Sequence, residues 1–137
     1  MVLLVSDSDS VLDELRSALE DGETEIRELY SGAAVRDEVE EDAPDLVMTD
    51  LQVGNMGGMA ICLDLRLEES GGRIPHVPVL VLLDRRADVF LARRSAAEGW
   101  LVKPLDPVRI RRAARAILDG GTFYDESYKP IPLAVDA

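Results

Sequence analysis

The sequence predicts a doubly wound α/β domain, a parallel sheet with helices on both faces. Three observations carry this. Five short apolar runs of strand length alternate in strict order with five segments of helical periodicity. The central run, Leu46 to Met48, is continuously apolar, as a strand covered on both faces requires. A length of 137 residues suits one well-buried core and is short for two ordinary domains.

The elements follow in order. Val2 to Val5 is a β run, and Ser6 to Ser10 is a polar turn whose serines and aspartates can cap the next helix. Val11, Leu12, Leu15, Ala18 and Leu19 recur at helical spacing, and Gly22 closes that helix. Ile26 to Tyr30 alternates as a shorter strand. A helix from about Ala33 to Glu41 puts Ala34, Val35, Glu38 and Val39 on an inner stripe beside an acidic outer face. Pro44 and the loop from Gly54 to Gly58 bound the third strand. A third helix from about Gly58 to Glu69 carries Met59, Cys62, Leu63 and Leu65 and ends at Gly71 and Gly72. The fourth strand is Val79 to Leu83, introduced by IPHVP, and a helix from about Ala87 to Ala97 precedes the strand Trp100 to Val102, which Pro104 ends. The last helix, about Pro107 to Leu118, offers Val108, Ile110, Ala114, Ile117 and Leu118 to the core and leaves Arg109, Arg111, Arg112 and Arg115 largely outside.

Composition narrows the function. The chain is 47% hydrophobic and 31% charged, as globular domains are, and its net charge of −12 argues against a nucleic-acid binder. The single cysteine, Cys62, cannot form an internal disulfide and reads as a small core residue. No run approaches the roughly 20 apolar residues of a membrane-spanning helix, and the chain opens on MVLLV without a basic leader. A cytoplasmic location with no membrane partner is therefore expected. His76, the only histidine, reads as an exposed loop residue without a ligand set.

The stretch from Pro44 to Gly58, PDLVMTDLQVGNMGG, delivers Asp50 to the C-terminal end of the third strand, where open α/β sheets bind their ligands. An isolated strand-end aspartate can also simply cap a turn. If the strand order is the flavodoxin-like 2-1-3-4-5, however, the first and third strands meet at the switch point and Asp7 lies near Asp50. Leu83, Asp84 and Lys103 complete the same rim. Two close carboxylates repel each other unless a cation joins them or one takes a proton. Mg²⁺ suits such an oxygen set, and a carboxylate so placed can attack phosphorus to form an aspartyl phosphate. Because catalysis of that transfer is mostly positioning, few residues are needed. Lys103 could be a solvated surface lysine, but the chain has 13 Arg against two Lys, Lys103 and Lys129.

Taken together, VLLVSDSDS, PDLVMTDLQVGNMGG, PVLVLL and WLVKPLD resemble, in order and spacing, the receiver domain of two-component response regulators over about residues 1–118. The resemblance implies the flavodoxin-like (βα)5 fold with strand order 2-1-3-4-5. It makes Asp50 the phosphoacceptor, Asp7 and Asp50 with the backbone carbonyl of Gln52 the Mg²⁺ ligands, and Lys103 the contact to the phosphoryl group. The Lys103–Pro104 bond would be cis, and Trp100 would be the aromatic that changes rotamer on activation; otherwise it is an aromatic filling the surface between the fourth helix and strand five. The implied partners are a histidine kinase or phosphotransfer protein and an unknown downstream protein. No enzyme activity beyond self-phosphorylation and no organic cofactor is implied.

Four departures from the receiver pattern stand out. Ser6 replaces the first of two adjacent acids, which weakens Mg²⁺, with Asp9 a possible substitute. Leu83 replaces the Ser or Thr whose hydroxyl binds the phosphoryl group and, with Trp100, forms the switch. A hydrogen bond to a charged group is worth roughly 1.5–3 kcal/mol, a large part of the about 5.5 kcal/mol needed to throw a two-state switch. Asp84 replaces a small residue and either caps the fourth helix or repels an anionic donor. Residues 119–137 carry no output domain and read as an extension that packs on the domain, stays mobile, or docks a partner through Phe123, Tyr124 and IPLAV.

Three functions are thus open. The first is a stand-alone receiver phosphorylated on Asp50. The second is a receiver-like interaction module that works without phosphorylation, as Leu83 and Ser6 suggest. The third is a haloacid-dehalogenase-like phosphohydrolase, since LLVSDSDSVL fits its Asp-x-Asp signature with Asp7 as nucleophile and Asp9 as acid/base. That reading leaves Asp50 unexplained. The arginines of the last helix are either a solvated face or a set of partners for acids across a homodimer.

Overall fold

Strands form in the computed structural model, which describes residues 1–126, where the apolar runs sit. β1 (Val2–Val5), β2 (Ile26–Leu29), β3 (Leu46–Asp50), β4 (Val79–Leu83) and β5 (Gly99–Val102) alternate with α1 (Asp9–Leu19), α2 (Val35–Glu41), α3 (Gly58–Ser70), α4 (Val89–Arg94) and α5 (Pro107–Leu118). The pairing is parallel throughout in the order β2-β1-β3-β4-β5, the flavodoxin-like arrangement. A two-residue strand, β6 (Phe123–Tyr124), extends the sheet beyond β5.

The pleat divides the core in two. Val2, Leu4, Leu46, Met48, Leu80, Leu82 and Leu101 face α1 and α5, whereas Leu3, Val5, Val47, Val79, Val81, Leu83 and Val102 pack with residues of α2, α3 and α4. Each fully buried leucine among them contributes roughly 1.5–3 kcal/mol.

Helix details differ from expectation where side chains interrupt the period. α4 stops at Arg94, because Ser95 Oγ donates to the Ala92 carbonyl at 2.7 Å and Ala96 takes a left-handed φ of 60°. Residues 86–88 form a 3₁₀ turn instead of its first turn. Ala34 is exposed because it sits in a 3₁₀ turn, Gly32–Ala34, ahead of α2. Leu63 of α3 is likewise exposed, and Ile61, Cys62 and Leu65 supply that helix's buried stripe. In α5 the buried set is Ile110, Ala113, Ala114 and Ile117, at the i, i+3, i+4, i+7 spacing of one helix face; Val108 and Leu118 lie off it and are exposed. Arg109 also departs from the expected outer face and turns toward the end of β5.

β6 needs room beside β5, and Gly99 provides it. A Cβ there would lie 2.4 Å from the Phe123 carbonyl oxygen, so a larger residue would push the strand away. Phe123 N–H donates to the Glu98 carbonyl and Asp125 N–H to the Trp100 carbonyl. The IPLAV part of the extension, 131–135, lies outside the described residues, as does Lys129.

Candidate functional site

Strand register builds the rim. Val5 pairs with Thr49, so the next residues, Ser6 and Asp50, stand level where β1 and β3 end. Leu83 pairs with Val102, which likewise sets Asp84 level with Lys103. Both couples are in contact. Ser6 Oγ donates to Asp50 Oδ2 at 2.5 Å, and Lys103 Nζ donates to Asp84 Oδ1 at 3.0 Å. Asp84 therefore serves Lys103 and caps no helix: Arg85 stands at the cap of the 3₁₀ turn, without a side-chain cap bond.

Asp50 is 4% exposed at the centre of this group. Its two oxygens are treated differently. Oδ2 takes the Ser6 hydroxyl, which is itself held by the Ser8 N–H. Oδ1 lies 2.6 Å from Lys103 Nζ and pairs with that ammonium. Burial works against the charged lysine, yet Asp50 and Asp84 outweigh that effect and hold the Lys103 pKa above its ordinary value. The Lys103–Pro104 bond is cis.

The glycine loop fixes the other side. A Cβ on Gly58 would come within 2.7 Å of the Asp50 carbonyl oxygen, so glycine lets α3 start directly over the acid. Asp7, expected beside Asp50, is exposed and accepts from Gly54 N–H at 2.9 Å, tying the ends of β1 and β3 together through the loop. Asp9 is the exposed first residue of α1, and Gln52 is exposed in the loop.

As a magnesium site the rim offers two carboxylates, Asp7 and Asp50, and the nearby Gln52 backbone. The buried Asp50 Oδ1 already faces one cation, the Lys103 ammonium, and an all-oxygen set suits Mg²⁺. Ser6 leaves this set one acid short, and no group of three or more potential ligand side chains gathers among the described residues.

Leu83 is fully buried beneath the rim. Trp100 is 4% exposed and stacked on Tyr124, ring centroids 4.5 Å apart, with the Arg93 guanidinium over its ring. Its indole N–H is buried without a partner. His76 is half-exposed, between Glu69 and Glu98. Cys62 is buried, and burial pushes its thiol pKa up.

Two residues escaped the sequence reading. Ser6 counted there as a lost acid, yet it is the donor to Asp50. Asp125, 3% exposed, accepts from Val102 N–H and pairs with Arg109, which also bonds the Pro104 carbonyl. A register argument could have found Ser6; no local signal marks Asp125.

The comparisons with known proteins bear on the family and the fold. The model of the response regulator receiver domain matches residues 2–115. The alkaline phosphatase synthesis transcriptional regulatory protein PhoP of Bacillus subtilis is 25% identical over 85% of this chain and 48% of its own length. The response regulator PleD of Caulobacter vibrioides is 26% identical over 91% of this chain and 27% of its own length. The chain thus spans half or less of these curated relatives. Among solved structures, the receiver domain of a signal transduction histidine kinase from Syntrophus aciditrophicus has a TM-score of 0.75 at 23% identity, with 98% of each chain covered. A response regulator from Chloroflexus aurantiacus has a TM-score of 0.77 at 22% identity, covering 86% of this chain and 96% of that one. At these identities the two structures speak for the fold. The matching family model spans most of the sequence, and the chain belongs to the response regulator receiver domain family.

Proposed function

We propose that this receiver accepts a phosphoryl group on Asp50 from a histidine kinase or phosphotransfer protein and signals through a downstream protein. The observation that carries this reading is the asymmetric carboxylate. Ser6 anchors Oδ2, which leaves Oδ1 beside the Lys103 ammonium as the nucleophile. Oδ1 attacks phosphorus, the P–N bond of a phosphohistidine breaks with its electrons going to the imidazole nitrogen, and Asp50 becomes an acyl phosphate. Lys103 offsets the charge on the equatorial oxygens. Asp7, Asp50 and the Gln52 carbonyl would hold Mg²⁺, which supplies charge neutralisation when bound. Trp100 and Leu83 occupy the switch positions, and residues 1–118 form the receiver with 119–137 as its extension.

The test is intact-protein mass after incubation with a small acyl phosphate and Mg²⁺. One added phosphoryl group that disappears in Asp50→Asn is the expected result. A second reading, an interaction module that works without phosphorylation, draws on the fully buried Leu83, which offers no hydroxyl to the phosphoryl group. An unmodified but folded wild-type protein would favour it. The receiver match includes the LLVSDSDSVL run and so accounts for it without a phosphohydrolase.

A further inference from the structure

We propose that Asp84 is a positioning residue that competes with the phosphoryl group for Lys103 and so takes over the coupling that a hydroxyl at Leu83 would provide. The inference rests on Asp50 being the phosphoacceptor. Lys103 Nζ lies 2.6 Å from Asp50 Oδ1 and 3.0 Å from Asp84 Oδ1, and bonds both acids. The ammonium is thus shared between the nucleophile and the first residue after β4.

Three features make the sharing consequential. Leu83 has no hydrogen to donate, so the Lys103–Asp84 bond is a side-chain tie between the site and the β4–α4 connection. Asp84 is half-exposed and is not spent on a helix cap. Immediately beyond it lie Arg85, paired with Asp88, and the 3₁₀ turn that leads into α4. A phosphoryl group on Asp50 brings new anionic oxygens to Lys103, which then leaves Asp84. The β4–α4 connection loses its tie, and the change passes to α4 and Trp100 by release rather than by the inward pull of a hydroxyl.

The probe is beryllofluoride with Mg²⁺, titrated into wild type, Asp84→Ala, Asp84→Asn, Asp84→Glu and Asp50→Asn, together with hydrogen exchange of the amides at 84–88. Asp84→Ala and Asp84→Asn are expected to bind at least threefold more tightly than wild type, with Asp84→Glu within twofold of it. Binding should speed exchange at 84–88 in wild type, whereas in Asp84→Ala exchange is already fast and unchanged by the ligand. Equal or weaker binding by Asp84→Ala, with wild type still binding, overturns the competition and leaves the phosphoacceptor reading standing. Tighter binding without any change in wild-type loop exchange also overturns it, because charge repulsion alone would then suffice. If no variant and no wild type binds, the phosphoacceptor reading falls and this inference falls with it.

Discussion

Asp50 and Asp125 are two of the three aspartates nearly buried among the described residues, and although each lies beside a cation their surroundings differ. Asp125 is 3% exposed, and one of its oxygens is claimed by both the Val102 N–H and the Arg109 guanidinium, whose other bonds go to Asp106 and to the Val102 and Pro104 carbonyls. Asp50 is 4% exposed, and its Oδ1 pairs with a lysine ammonium that also bonds the half-exposed Asp84. A buried carboxylate whose cation is fixed by several further bonds behaves as a structural tie. One whose cation is shared with a solvent-facing acid retains capacity for a new partner. The difference separates a latch from a reactive site.

That contrast can be broken from the latch side first. Asp125→Ala removes one of the two acids paired with Arg109 and leaves Val102 N–H without its acceptor, and is expected to cost roughly 2 kcal/mol in urea unfolding. The variant should still accept phosphate. On the reactive side, Ser6→Ala removes the donor to Asp50 Oδ2 and should slow phosphorylation by about tenfold, as the loss of a hydrogen bond to a charged group implies. Intact-protein mass over time gives that rate.

Smaller effects sharpen the comparison. Tyr124→Ala removes a stacked partner of Trp100, an expected loss of about 1 kcal/mol with a red-shifted Trp100 emission as water reaches the indole. Asp106 caps α5, and the Arg109 backbone N–H, with the Arg109 side chain, holds its pKa below the ordinary carboxylate value. The sign follows directly. Its stabilisation is present above the ordinary value of 3.8 and fades as pH falls through the lower folded value, so the stability gap between wild type and Asp106→Ala should narrow in acid. Chemical denaturation at stepped pH reads that gap.

Strands were the most legible part of the sequence, because Leu46–Met48 and Val79–Leu83 are continuous apolar runs that only a doubly covered sheet accommodates. α5 was also legible in its bounds, about Pro107 to Leu118, although its Asp106 cap was not read from the sequence. α4 was not, since its early stop depends on a serine hydroxyl and one left-handed alanine. At the rim, Asp50 and Lys103 were legible from their places at strand ends. The role of Ser6 was hidden because a residue type suggests what is missing, while the β1–β3 register decides what it touches. The role of Asp84 was hidden for the same reason, its partner lying on the neighbouring strand. Asp125 acts across 23 residues of separation from Val102, beyond any local pattern.

Gly99 and β6 have a consequence for self-assembly. Without Phe123–Tyr124, β5 would be the border of the sheet, and its outward N–H and C=O groups would offer a template to any extended chain nearby. The added strand fills that template with only two residues, too short to recruit another copy in its turn. The added strand thus covers the β5 border with a segment of the same chain, leaving β2 as the other border, and a bulky residue at position 99 would expose β5 to edge-to-edge association.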